Sequence, residues 1–241
     1  MRFATILEDD RPVAALVRRE RILSLAALPG LGTVRAIAAA GEQGQRQVTA
    51  FADAASPMRW RALAEARLGP AVADPGAIYT VGMNYPPGDA APGTRPERPL
   101  IYGKLPTAVA GQGDTVAWDR SLSPNVDAEV ELGVVIGTAT EGPVTTADAT
   151  DHVFGWTCIN DISSRDEWLD GDQWLLGKSM AGFCPVGPSI VTPDELEARD
   201  VRLTATINGQ LIQDGRSSRA ARPAHEVVPR AGDHARAHFC R

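Results

Sequence analysis

The sequence predicts an α+β fold that is mainly β. Short runs rich in β-branched and apolar residues recur along most of the chain, glycine, proline and Asn-Gly turn signals punctuate them, and convincing helices are few. Such a pattern points to a closed or rolled β architecture. At 241 residues the chain can bury one substantial core, with room for a small appended module.

Residues 1–73 read as a small N-terminal α+β module. Arg2–Leu7 and Pro12–Val17 flank the polar turn Glu8-Asp9-Asp10-Arg11, which signals a hairpin. After Pro29-Gly30-Leu31-Gly32 the alanine-rich run Val34–Ala54 is helical apart from Gly41 and Gly44. This module carries no catalytic constellation, so its expected role is packing or assembly.

Residues 74–218 read as the main domain. Asp74-Pro75-Gly76 marks its boundary and Ala77–Gly82 its first strand. Asn84–Gly93 is dense in turn formers and reads either as a lid or as a plain surface connection. Val126–Ile136 reads as one largely buried strand, and Val153–Ile159 as a second that ends in Asn160-Asp161. Ser163-Ser164 ahead of Asp166-Glu167 has the chemistry of a helix start. Ile190-Val191 and Leu203–Ile207 are further strands, and Asn208-Gly209 before Leu211 is a hairpin turn. Residues 219–241 form an atypical tail, rich in Ala, Arg and His, in which hydrophobic periodicity disappears. Its histidines, His225, His234 and His238, fit no recognised ligand spacing.

Charge and composition narrow the function. A net charge of −6 and a pI near 5.3 argue against nucleic-acid or anionic-membrane partners. The expected location is the cytoplasm, because no apolar run is long enough to span a membrane and the N-terminus lacks a signal-peptide core. Cys158, Cys184 and Cys240 are odd in number and form no Cys-x-x-Cys pair, which argues against a thiolate zinc site and a disulfide framework.

The stretch from Val126 to Lys178 concentrates the chemistry. Strand alternation puts Glu129 and Glu131 on one face, where they repel unless a cation lies between them. Oxygen-only donors favour a hard ion, Mg²⁺, Mn²⁺ or Ca²⁺. Asp161, at the end of the second strand, is a candidate third ligand. Taken singly, Glu-x-Glu also describes a solvated acidic face, Asp161 a cap, and Lys178 a surface charge.

These residues occur in ordered blocks: Asp127–Leu132 with Val134–Gly137, Asn160–Asp166, Gly177-Lys178-Ser179 and Cys184–Pro188, preceded by Gly82–Tyr85 and Tyr102-Gly103-Lys104. The set resembles the fumarylacetoacetate hydrolase family. The resemblance implies a mixed β-roll whose C-terminal strands are incomplete here, a homodimer, and Mg²⁺ (or Mn²⁺ or Ca²⁺) held by Glu129, Glu131 and Asp161. It implies that Lys178 faces the bound 2-oxo acid and that Tyr85, Lys104 and Trp168 contact substrate. Arg165 would meet the substrate's distal carboxylate, or else pair with Asp166 or Glu167. The implied activity is metal-dependent turnover of a small 2-oxo or 1,3-dicarbonyl acid through its enolate, by C–C hydrolysis, decarboxylation or isomerisation. Family hydrolases usually carry a histidine and often a glutamate where this chain has Gly88 and Ala91, and many relatives have a glutamine where it has Trp168. Neither Gly88 nor Ala91 accepts a proton, so the expectation shifts from hydrolysis toward enolate-only chemistry, with a metal-binding but catalytically silent homologue as the alternative.

Overall fold

A computed structural model of the chain describes residues 1–85, 97–139, 144–166, 173–224 and 226–227. Gly88, Ala91, Trp168 and, in the expected tail, residues 225 and 228–241 lie outside the described residues. The chain adopts the expected mainly β, α+β fold. Its largest element is one seven-stranded sheet.

One end of that sheet comes from the first residues. β1 (Arg2–Glu8) and β2 (Arg11–Arg18) pair in full register from Arg2↔Val17 to Glu8↔Arg11. The hairpin therefore closes more tightly than the sequence implies, through Asp9 and Asp10 alone, both with positive φ. Aspartate tolerates that conformation, and a two-residue turn of this hand matches strand twist. β3 (Arg21–Ser24) and β4 (Trp60–Ala62) extend the sheet outward. On the other side β1 pairs with β13 (Ile190–Val191), which passes the sheet to β10 (Val153–Asn160) and then to β9 (Val130–Ile136). Strands of residues 1–73 and of the later chain thus share one set of hydrogen bonds.

The helical run forms as two helices, α1 (Val34–Ala39) and α2 (Gly41–Ala54). Gly41 has φ +55, a conformation that glycine adopts freely and that breaks the run at that point. Val34 and Ile37 of α1 and Val48 and Ala52 of α2 are buried against Phe3, Leu16, Phe154 and Ile190, with Phe3 and Phe154 stacked at 5.3 Å. This core anchors the inner side of β10 and so the strand end that carries Asp161.

Four two-stranded pairs complete the described fold. β5 (Ile78–Gly82) pairs with β6 (Leu100–Lys104), β7 (Val109–Ala110) with β12 (Cys184–Pro185), and β8 (Val126–Asp127) with β11 (Ser163–Ser164). β14 (Arg202–Ile207) pairs with β15 (Gln210–Arg216) around the expected Asn208-Gly209 turn, both residues at positive φ.

One sequence expectation is corrected. Val126–Ile136 is not one strand but β8 and β9, separated at Ala128-Glu129, because the two halves pair with different partners. The partners, β10 and β11, are themselves separated at Asp161-Ile162, and the Asp161 N–H donates to the Glu129 carbonyl at 2.9 Å across the facing breaks. Ser163 and Ser164 form β11, and the helix expected to follow them falls on Glu167 and later residues that lie outside the described ones. The Ser164 hydroxyl donates to Asp166 at 2.7 Å.

Candidate metal centre

The facing breaks bring the acidic residues together. Ligand oxygens of Glu129, Glu131 and Asp161 all lie within 4.8 Å of one another. Asp161 is fully buried, and the two glutamates are half-buried.

Asp161 is held from two sides. Its Oδ1 accepts from Lys104 Nζ at 2.5 Å, and its Oδ2 from Lys178 Nζ at 2.6 Å and from the Tyr102 hydroxyl at 3.3 Å. Lys104 also donates to the Ile162 carbonyl at 3.0 Å, and its side chain has no exposure. Lys178 is delivered by the short helix α3 (Trp174–Lys178), whose Trp174 meets Tyr102 edge-on at 5.1 Å. Its ammonium lies 3.5 Å from Glu129 Oε2 and 4.9 Å from the Tyr102 ring centroid. Glu129 is steered in turn by Arg165, which donates to Glu129 at 2.6 Å and to Asp127 at 2.9 Å. Among the described residues, Arg165 makes its ion pairs with these two carboxylates and not with Asp166.

The protonation preferences follow from this packing. Burial pulls the Lys178 ammonium toward release, but the Asp161 carboxylate more than offsets it and holds the group above the ordinary lysine range. For Lys104 burial dominates, and its pKa is lowered despite Asp161. Burial, then the neighbouring Asp161 carboxylate, push Glu131 up to about 7. Burial and Glu131 raise the Tyr85 hydroxyl, on the wall of an adjoining cavity of about 920 Å³. Glu131, Tyr79, Val81, Val134 and Trp156 line the same space.

Glu131 is the side chain that tests whether an ion fits. Among the described residues it has no cationic partner within ion-pair distance, while Glu129 and Asp161 do. A carboxylate pushed toward neutrality beside two others is what a shared divalent cation would relieve. Asp161 Oδ1 keeps a lone pair beyond its Lys104 bond, and an oxygen-only set suits a hard ion. The residues therefore fit Mg²⁺, Mn²⁺ or Ca²⁺.

A pH dependence follows for the metal-free chain. Glu131 titrates near 7 when folded and at its ordinary 4.5 when unfolded, so in between the folded state holds a proton that the unfolded state has released. Stability should therefore fall as pH rises from about 4.5 to about 7 and stay lower above that. Urea denaturation in EDTA at pH 5, 6, 7 and 8 checks this, and Glu131→Gln should flatten the profile. Parallel profiles for wild type and Glu131→Gln would refute it.

The sequence-derived candidates are thus placed as follows: Glu129, Glu131, Asp161, Lys178 and Arg165 converge, Tyr85 stands beside Glu131, and Lys104 lies behind Asp161. Trp168 is outside the described residues. Tyr102 is the site residue that sequence reasoning missed. Its signal was available, since Tyr102 and Lys104 stand two apart on β6 and so share a face.

Residues 77–235 match the family model of the fumarylacetoacetate (FAA) hydrolase C-terminal region. The human mitochondrial oxaloacetate tautomerase FAHD2A is 34% identical over 161 residues, covering 65% of this chain and 51% of that protein. The chain thus spans about half the length of that curated relative. Among solved structures, the fumarylacetoacetate hydrolase of Exiguobacterium antarcticum is similar at a TM-score of 0.80 and 25% identity, over 96% of this chain and 80% of that one. The maleylpyruvate hydrolase of Sphingobium sp. SYK-6, in complex with manganese(II) and pyruvate, shares the fold at a TM-score of 0.79 and 23% identity, over 97% of this chain and 83% of that one. With well over half of its length matched to the family model, and with the expected blocks in place, the chain belongs to the fumarylacetoacetate hydrolase family.

Proposed function

We propose that the chain is a divalent-metal-dependent enzyme that turns over a small 2-oxo or 1,3-dicarbonyl acid by way of its enolate, with tautomerisation or decarboxylation favoured over C–C hydrolysis. The observation that carries this reading is the convergence of Glu129, Glu131 and Asp161 within 4.8 Å beside the buried Lys178 ammonium. Glu129, Glu131 and Asp161 would hold the ion, which supplies Lewis-acid charge to the carboxylate and 2-oxo oxygens of a substrate.

The chain's own side chains do the rest. Lys178 keeps a positive charge fixed beside those oxygens, and a fixed charge in a dry site stabilises an enolate oxygen without reorganising. Tyr102 and Asp161 lock the Lys178 side chain in place. Lys104, which cannot reach solvent, acts as a positioning residue for Asp161 rather than as a substrate contact. Arg165 positions Glu129 in the same way. Tyr85 and the cavity beside Glu131 receive the part of the acid distant from its 2-oxo group.

Gly88 and Ala91 bear on the choice of reaction, because hydrolysis needs an activated water and neither side chain accepts a proton. The human relative's name, oxaloacetate tautomerase, points the same way. Purified protein with Mn²⁺ or Mg²⁺ is expected to interconvert enol and keto oxaloacetate faster than it cleaves an acylpyruvate. Rapid metal-dependent cleavage of the acylpyruvate with no tautomerase activity would reverse that order, and no metal-dependent activity on either acid would remove the enzyme reading.

A further inference from the structure

Between the two glutamates stands Val130, and its backbone is engaged by a side chain from a distant hairpin. Gln213 Oε1 accepts from the Val130 N–H at 2.7 Å, and Gln213 Nε2 donates to the Val130 carbonyl at 2.9 Å. In the antiparallel register Val130 lies opposite Asn160, with β10 on one side of β9. The Gln213 carboxamide therefore sits where a residue of a neighbouring strand would and offers the same donor and acceptor. β9 is the last strand of its sheet among the described residues, so this pairing caps an otherwise open edge at the point where the acidic residues begin.

The consequence for the glutamates is geometric. The Val130 N–H belongs to the peptide plane that leaves Glu129, and the Val130 carbonyl to the plane that enters Glu131. Holding both planes fixes the backbone torsions that aim the two side chains. On the opposite edge the Glu129 carbonyl accepts from Asp161 N–H at 2.9 Å, so the segment is held from both sides.

The hairpin is shaped for this reach. The β14–β15 register runs Ala205↔Gln213 and then Thr206↔Leu211, which leaves Ile212 as an extra residue in a β-bulge beside Gln213. A bulge breaks alternation and re-aims the side chain next to it. Gln213 is half-buried while its neighbours Ile212 and Asp214 are exposed.

We infer that Gln213 is a positioning residue for the metal centre: its carboxamide sets the Glu129–Val130–Glu131 backbone and thereby the affinity for the divalent ion. This rests on the metal reading above and adds a residue outside the acidic cluster and its immediate partners. Outer groups that orient ligands typically change metal affinity about 10- to 100-fold when removed.

The test is a Mn²⁺ titration of the full chain, read from the EPR signal of free Mn²⁺, together with hydrogen exchange across residues 129–131 of the metal-free chain. Gln213→Met fills the same space without either bond. It is expected to weaken Mn²⁺ binding about tenfold and to speed exchange at Val130. Asp214→Ala removes the exposed Arg202–Asp214 ion pair within the same hairpin, leaves Gln213 in place, and should change neither reading much. Should Gln213→Met fail to fold, Gln213→Asn keeps a polar amide too short to reach both groups and is expected to show the same losses. Equal Mn²⁺ affinity in wild type and the Gln213 variant, or equal losses in the Gln213 and Asp214 variants, would overturn the inference. A wild type that takes up no Mn²⁺ would instead overturn the metal reading and this role with it, and that outcome is visible before any variant is made.

Discussion

Asp161→Ala is expected to cost about 3–5 kcal/mol of folding stability, because it strands Lys104 in the interior and leaves Lys178 only its longer contact with Glu129. Lys104 and Lys178 both end on this carboxylate, at 2.5 and 2.6 Å, and their side chains are 0% and 3% exposed. Removing one partner of a buried pair leaves the other charge desolvated and unpaired, a larger penalty than the pair's net contribution. The double variant Asp161→Ala with Lys104→Met should recover part of the loss, since it withdraws the stranded charge. Urea denaturation in EDTA keeps metal binding out of the comparison. A loss below about 1 kcal/mol would mean that the lysines find water or other partners and that Asp161 is not the electrostatic keystone of the site.

Lys178→Met is expected to lower turnover of oxaloacetate by about 10²- to 10³-fold, the usual loss when one preorganised charge or donor is taken from a developing oxyanion. The fold should suffer less than in Asp161→Ala, because Lys104 still neutralises Asp161. Mn²⁺ affinity should hold or rise, since a positive charge 3.5 Å from Glu129 and 2.6 Å from Asp161 opposes a second cation. That combination, with rate lost and ion retained, separates a charge that acts on substrate from one that only assembles the site. A fall of less than tenfold in a variant that still binds Mn²⁺ would take Lys178 out of the chemistry.

Part of this was legible in the sequence, for physical reasons that differ by residue. The strands followed from β-branched runs, and the Asn208-Gly209 turn from the positive φ that its tight geometry requires. Glu129 and Glu131 could be set on one side by alternation, and Asp161 and Lys178 joined them through the order of the family's blocks. What could not be read was pairing at long range. The break at Ala128-Glu129 exists because β8 and β9 have different partners, and nothing local to that run specifies a break. The seven-stranded sheet joins Phe3 to Ile190, a register fixed by buried surface and not by neighbouring residues. The burial of Lys104 could not be read, since a lysine is rarely buried without a paired carboxylate and Asp161 lies 57 residues further on. Gln213 gave no signal at all, because its function depends on a bulge and on a strand edge more than eighty residues earlier in the chain.

The most direct test of the metal centre is equilibrium binding of Mn²⁺ to the full chain at pH 8, where Glu131 has lost its proton. Wild type is expected to bind one ion per chain. Glu129→Ala, which alters a partly exposed ligand and spares the buried Asp161 cluster, should remain folded and lose most of that affinity. A wild type that binds no Mn²⁺, or a folded Glu129→Ala that binds it equally well, would contradict the account.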